Sequence, residues 1–190
     1  MRTLVVTEFI TLDGIVDSPG GGDHPHAGWT FTDVEHDDAV YEIKGRETTQ
    51  ASALLLGRQS YDEFAPVWPS MDEFETYNAM PKYVVSTTLP GDTAPWGDGH
   101  VTVLRSLDDV AALKDTEGGE IHVHGSATLA QGLARAGLVD RYHLLVFPVL
   151  LGSGKRLFTD GTGLDKTGLQ LVEHAAYANG ITLQRYDVVR

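Results

Sequence analysis

Short, nearly unbroken apolar runs recur along this chain, and most are followed by a segment whose apolar positions fall three or four residues apart. The first kind reads as a strand buried on both faces and the second as a helix lying on a sheet. Residues 3–12, Thr-Leu-Val-Val-Thr-Glu-Phe-Ile-Thr-Leu, read as the first strand and close at Asp13-Gly14. From Asp17 to Gly28 glycine and proline replace any apolar period, so this loop belongs on the surface. A helix is predicted over 33–50, with Val34, Ala39, Val40 and Ile43 inward, and a second strand over 53–56.

After Gly57 the pattern predicts a short helix near 59–64, a corner from Pro66 to Pro69 that holds Trp68, and an acidic helix at about 70–79. Residues 82–86 and 101–104 read as the third and fourth strands, separated by a loop rich in glycine and proline. Ser106 suits the N-cap of a helix running to about Lys114, because its hydroxyl can accept a first-turn amide. A strand at 120–124 and a helix at 127–137 complete the alternating part. From Asp140 onward only strands are predicted, at 142–149, 169–177 and 181–189, and Asn179-Gly180 between the last two is a strong hairpin signal. The order implies an α/β fold with a mainly parallel central sheet, helices on both faces and an antiparallel hairpin at the C-terminal end. With no internal repeat and no linker, residues 1–190 are expected to form a single domain.

Two strand ends repeat one device. Ala53-Leu-Leu-Leu-Gly57 stops at a glycine and presents Arg58 and Ser60 where a helix begins, and Glu120-Ile-His-Val-His124 stops at Gly125-Ser126 before another helical pattern. A helix start carries unpaired N–H groups and the positive end of the helix dipole, so each turn is a candidate anion cradle. Two cradles in one chain suggest a ligand with several phosphates.

Charge narrows the partners. Twenty-seven acidic residues against fourteen basic ones leave a formal charge of −13, which repels nucleic-acid backbones and anionic membranes at long range. Neither partner is expected. Arg58 and Arg105 can still hold an anion locally, over distances where contact outweighs the screened global field. The chain has no cysteine, so disulfides and thiolate chemistry are excluded, and the early acids Glu8 and Asp13 break any signal or membrane segment. A cytoplasmic location is expected.

Together these segments resemble the dihydrofolate reductase fold, and most closely the branch containing the reductase domain of bacterial riboflavin biosynthesis. The resemblance is carried by Thr11-Leu-Asp-Gly14, Trp29, Leu54-Leu-Leu-Gly-Arg-Gln-Ser-Tyr61, Trp68-Pro69, Lys82-Tyr-Val-Val-Ser86, Gly125-Ser126, Gly137-Leu-Val-Asp140 and the run from Pro148 to Phe158. It implies a three-layer fold, NADPH as cofactor, and hydride transfer to a small heterocycle of pyrimidine or pterin type, as in a 5-amino-6-(5-phosphoribosylamino)uracil reductase. It places Gly57, Arg58, Ser60, Gly125, Ser126, Ala127 and Thr128 against the cofactor phosphates, with Ser86, Thr87 and Thr88 near the adenosine end. Arg58 and the hydroxyl donors would favour NADPH over NADH through charge-assisted bonds to the 2′-phosphate. Homodimerisation is also implied, with the C-terminal strands and the Pro148–Phe158 loop as candidate interface.

Candidates for the catalytic proton are Asp13, His124 and Asp37. In the riboflavin-type reductases an acid is expected just before the second glycine turn, where this chain has His124; imidazole can both donate and accept, and it titrates near neutrality. Trp29 and Trp68 are candidate platforms for the substrate ring, although both also suit packing. The histidines at 24, 26 and 36 match no ligand motif, so no metal site is expected. The competing expectation is a nucleotide-binding or sensor module that has lost turnover on the same fold.

Overall fold

The computed structural model describes residues 1–91, 95–97, 99–159 and 166–190. The predicted loop between the third and fourth strands lies partly outside these residues, as does the segment before the hairpin. The described elements are β1 (Leu4–Thr11), α1 (Trp29–Thr32), α2 (Asp38–Gln50), β2 (Ala51–Gly57), α3 (Arg58–Phe64), two 3-10 turns (Trp68–Ser70 and Asp72–Phe74) and α4 (Glu75–Ala79). They continue with β3 (Lys82–Val85), β4 (Pro95–Trp96), β5 (Gly99–Leu104), α5 (Leu107–Lys114), β6 (Glu120–His124), α6 (Ala127–Arg135), β7 (Arg141–Phe147), β8 (Gly168–Ala176) and β9 (Thr182–Val189).

One nine-stranded sheet runs in the order β4-β5-β3-β2-β6-β1-β7-β9-β8. The pairs from β5 to β7 are all parallel, while β4 with β5, β7 with β9 and β8 with β9 are antiparallel. The predicted architecture is therefore the observed one. Period two divides each central strand between two cores: Ala53 and Leu55 of β2 face α5 and α6, with Val110, Ala127, Ala130 and Leu133. Leu54 and Leu56 face the opposite side, against Tyr61, Tyr77, Val84 and Trp96. Because both faces are covered, the strands read as continuous apolar runs rather than as alternations.

Helix ends follow their local chemistry. Ser106 caps α5 in a capping box with Asp109. Gly137, at φ +66°, ends α6, where the Leu138 amide reaches back to the Leu133 carbonyl. The helix predicted over 33–50 starts later, at Asp38, because the Asp37 carboxylate accepts the Ala39 amide and caps the helix there. Residues 29–32 form a separate turn of helix, and Ala39 is exposed while Val40 and Ile43 are buried. The hairpin turn is as expected, with Gly180 at φ +86° and the Tyr177 amide bonded to the Ile181 carbonyl.

Several motif residues hold the frame. Asp140 accepts the Leu4 amide at 2.7 Å and pairs with the Lys114 ammonium at 2.6 Å, which joins the start of β1 to α5. Glu47 on α2 is buried and accepts from Thr7 at 2.8 Å and from Lys44 at 3.0 Å, which fixes α2 across β1. Removing Lys44 would leave the buried Glu47 carboxylate without its cation, a change that typically costs about 3–5 kcal/mol. Among the described residues no helix is long and apolar enough to cross a membrane.

Candidate active site

The C-terminal ends of β2 and β6, neighbours in the sheet, open into a cleft of about 590 Å³. In open α/β sheets ligands bind in such crevices at the carboxyl ends of the strands. One wall is the start of α3 with Gly57, Arg58, Gln59 and Ser60; facing it is the start of α6 with Gly125, Ser126, Ala127 and Thr128. The roof is the loop from Asp17 to Gly22, and the far end is apolar, with Phe31, Phe64, Trp68 and Phe74. Both glycine turns therefore face one space.

Hydrogen bonds lock the two turns together. The Gly57 amide donates to Ser126 Oγ at 2.9 Å, Ser126 Oγ donates to Ser60 Oγ at 2.9 Å, and Ser60 Oγ bonds the Gly125 carbonyl at 2.9 Å. Gly125 sits at φ +59°, and a Cβ there would lie 2.9 Å from Phe64 Cζ. Any other residue would be strained and would push the ring aside. Gly57 is different, since a Cβ would meet only ordinary contacts at 3.6 Å or more, so the frame itself does not demand glycine. Neither helix start has a side-chain cap, which leaves first-turn amides available to a ligand.

Arg58 is held by Asp62, with Nε 2.8 Å from Oδ2, and its Nη1 lies 3.5 Å from Thr88 Oγ1 in the turn after β3. The structure thus brings Thr88 to the edge of the first glycine turn. Thr87 is exposed beside it, and the Ser86 hydroxyl accepts the Leu89 amide at 3.0 Å. Arg105 spends its Nη1 on the carbonyls of Ser86 and Leu89, at 2.8 and 2.7 Å, and so braces this turn.

The proton candidates separate. Asp13 does not line the cleft; its carboxylate accepts the amides of Gly152 at 2.8 Å and Leu151 at 3.3 Å, which pins the Pro148–Phe158 run beneath β1. Partial desolvation opposes its ionisation, but the bonds from Thr11 and these amides outweigh it and hold its pKa below the ordinary value. Asp37 is the cap of α2 and also lies outside the cleft. Trp29 is fully buried, edge-on to Phe147 at 5.2 Å, with its indole N–H on the Asp17 carbonyl; it anchors the loop that forms the roof.

His124 lies beneath the apolar end. Its Nε2 is 2.7 Å from the Tyr77 hydroxyl, and its ring stands edge-on to Trp68 at 6.2 Å. Burial first, and then the Lys44 ammonium, holds the His124 pKa well below the ordinary histidine value. Burial keeps the Tyr77 phenol protonated far into alkaline pH. Tyr77 is therefore the donor and neutral His124 the acceptor, which puts the ring hydrogen on Nδ1.

Glu8 was not among the sequence candidates. It is 3% exposed, its Oε1 has no partner, and the nearby backbone amides of Gly125 and Ser126 favour its ionised form. Burial is the main influence and pushes its pKa up to about 8 despite Lys44 and those two amides. At neutral pH a protonated carboxylic acid thus sits beside the second glycine turn. The available signal was an ionisable residue inside an otherwise apolar strand.

Architecture and cleft together define a dihydrofolate reductase-like α/β protein, and solved structures agree at the level of fold. A riboflavin biosynthesis-like protein from Shewanella sp. PV-4 superposes with a TM-score of 0.78 at 20% identity, covering 100% of both chains. Dihydrofolate reductase from Enterococcus faecalis, complexed with NADP(H), gives 0.62 at 12% identity over 99% of this chain and 97% of that one. The chain belongs to the RibD C-terminal domain family, whose model matches residues 2–183. Among curated relatives, the uncharacterised Bacillus subtilis (strain 168) protein YyaP is 25% identical over 189 residues, covering 95% of this chain and 92% of that protein.

Proposed function

We propose that this protein is an NADPH-dependent reductase that transfers hydride to a small planar heterocycle bound in the cleft. The observation that carries the reading is the convergence of both glycine turns on one space, with uncapped helix starts and a glycine whose Cβ position is closed by Phe64. The residues fit the group. Ala127 and Thr128, with the start of α3, would meet the diphosphate, and Arg58 with Thr88 would meet the 2′-phosphate. When bound, the dihydronicotinamide supplies hydride for an electron-poor C=N or C=O group.

The chain positions, shields and manages a proton. Ser126, Ser60 and the Gly57 amide hold the two walls at fixed separation, so the ligand meets a preformed slot. Trp68 and its neighbouring rings exclude water at the apolar end. Tyr77 Oη and His124 Nδ1 hold protons there, and Glu8 holds one under the second turn.

Fluorescence titration with NADPH and NADH tests this. Micromolar NADPH binding at hundredfold excess raises unfolding stability by about 2.7 kcal/mol, visible as a higher melting temperature. Arg58→Ala is expected to weaken NADPH by roughly tenfold or more while changing NADH little, because only NADPH carries the 2′-phosphate. No affinity for either nucleotide would overturn the reading.

A further inference from the structure

Glu8 and the cleft draw on the same backbone groups. Thr7 pairs with His124 across the sheet, so the next residue of β1, Glu8, comes beside Gly125 and Ser126. Its side chain is buried, its Oε1 has no partner, and the amides of Gly125 and Ser126 are near enough to favour its ionised form. Those two residues also line the cleft, followed by Ala127 and Thr128 of an α6 start that has no side-chain cap. The positive end of one helix dipole therefore serves two places for a negative charge, one in the core and one in the cleft.

Little else around Glu8 compensates a charge. The cation that reaches it is Lys44 of α2, whose Nζ is already engaged, 2.6 Å from Thr7 Oγ1 and 3.0 Å from Glu47 Oε2. On β7 its partner position is Leu144, and the Tyr142 phenol on the same face has its pKa pushed up to about 12 by burial. His124, just before the turn, is neutral, and α6 opens with the uncharged run Ala127-Thr128-Leu129-Ala130-Gln131. An ionised Glu8 and a diphosphate in the cleft would be like charges sharing one set of amides. A protonated Glu8 leaves those amides to the ligand.

We propose that the Glu8 carboxylate and the ligand's diphosphate are rival anions for the start of α6, so that the nucleotide binds the chain in which Glu8 carries a proton. Where Glu8 is ionised in the free chain, binding takes one proton from solution and forms the O–H bond at its carboxyl. Glu8 is thus a positioning residue of the cofactor site and needs no contact with the ligand. This rests on the reading of the cleft as a dinucleotide site.

Calorimetric titration of the full chain with NADP⁺, from about pH 7 to about pH 9.5 and at each pH in two buffers of different ionisation enthalpy, gives both the affinity and the protons taken up. Glu8 releases its proton in the free chain at about pH 8. Below that value the affinity is expected to be level, and above it the parent should lose up to about tenfold for each pH step while uptake approaches one proton per NADP⁺. The ligand's phosphates titrate near or below about pH 6 and stay ionised throughout. Lys82, which titrates at about 8, sits on the Asn78 and Met80 carbonyls away from the cleft lining and is common to parent and variant. Glu8→Gln should match the parent at about pH 7 and bind roughly tenfold or more tightly than it at about pH 9.5, without the proton uptake.

A parent chain whose affinity stays level through pH 8 with no uptake overturns the rivalry, and that result needs no variant to fold. The same slope and uptake in Glu8→Gln would assign them to another group and overturn it as well. No NADP⁺ binding at any pH by either chain overturns the dinucleotide reading, and the proposal with it, so the two failures are told apart.

Discussion

Replacing Glu8 by glutamine isolates one buried proton and makes its thermodynamic effect measurable. The side chain is 3% exposed and its carboxyl pKa stands at about 8, against an ordinary value of 4.5. Below about pH 4.5 the folded and unfolded chains both hold the proton, so the group contributes no pH dependence. Between about 4.5 and 8 the unfolded chain releases the proton and the folded chain keeps it. Folding then takes up a proton, and stability falls by about 1.36 kcal/mol for each pH step. The gap between the two values, 8 − 4.5 = 3.5, puts the full loss at about 5 kcal/mol, a ceiling reached above pH 8. Glutamine is close in shape, keeps an acceptor for the Gly125 and Ser126 amides, and cannot ionise. Urea unfolding of both chains from about pH 5 to pH 9 should therefore show the variant gaining on the parent as pH rises, with the difference levelling off above about pH 8. His124 and buried His143, whose pKa values are depressed, act oppositely on the acid side, but they are common to both chains and cancel in the difference. A stability difference that stays flat across this range would refute a raised Glu8 pKa.

Two further expectations concern the cleft. Gly125→Ala should cost about 1–2 kcal/mol or more through its left-handed backbone and its contact with Phe64, whereas Gly57→Ala should leave the denaturation midpoint nearly unchanged and weaken NADPH; equal destabilisation would contradict the Cβ geometry. Tyr77→Phe removes the donor to neutral His124, so the His124 pKa should rise toward its ordinary value in an NMR titration, at a stability cost of about 1–3 kcal/mol; an unmoved pKa would refute the donor assignment.

Much of this molecule could be read from apolar period and turn chemistry. The parallel strands, the Ser106 cap and the Asn179-Gly180 hairpin all act through neighbours close in sequence, so their signals are local. The two glycine turns were legible for the same reason, since a strand ending at glycine before a helix start is a local pattern. Roles that depend on distant contacts were not. Asp13 ends the first strand as expected, yet its carboxylate is taken by amides nearly 140 residues later. Asp37 looked like free chemistry and is a cap, and the start of α2 followed from that cap rather than from the apolar pattern around Val34. Glu8 was hidden because nothing along β1 tells which turn will lie over its side chain. Only the pairing of Thr7 with His124 brings Gly125 beside it.

That pairing also governs when the molecule can assemble. Leu4 is hydrogen-bonded beside Ile121 and Val5 beside Arg141, so β1 occupies the middle of the sheet although it is synthesised before the other described strands. At typical elongation speeds the nascent strand waits on the order of ten seconds for its partners. Through that interval Val-Val-Thr-Glu-Phe-Ile is a sticky β-prone segment open to other chains. The acid in its midst, ionised in an unfolded chain at neutral pH and only later neutralised by burial, acts as a gatekeeper against aggregation during synthesis.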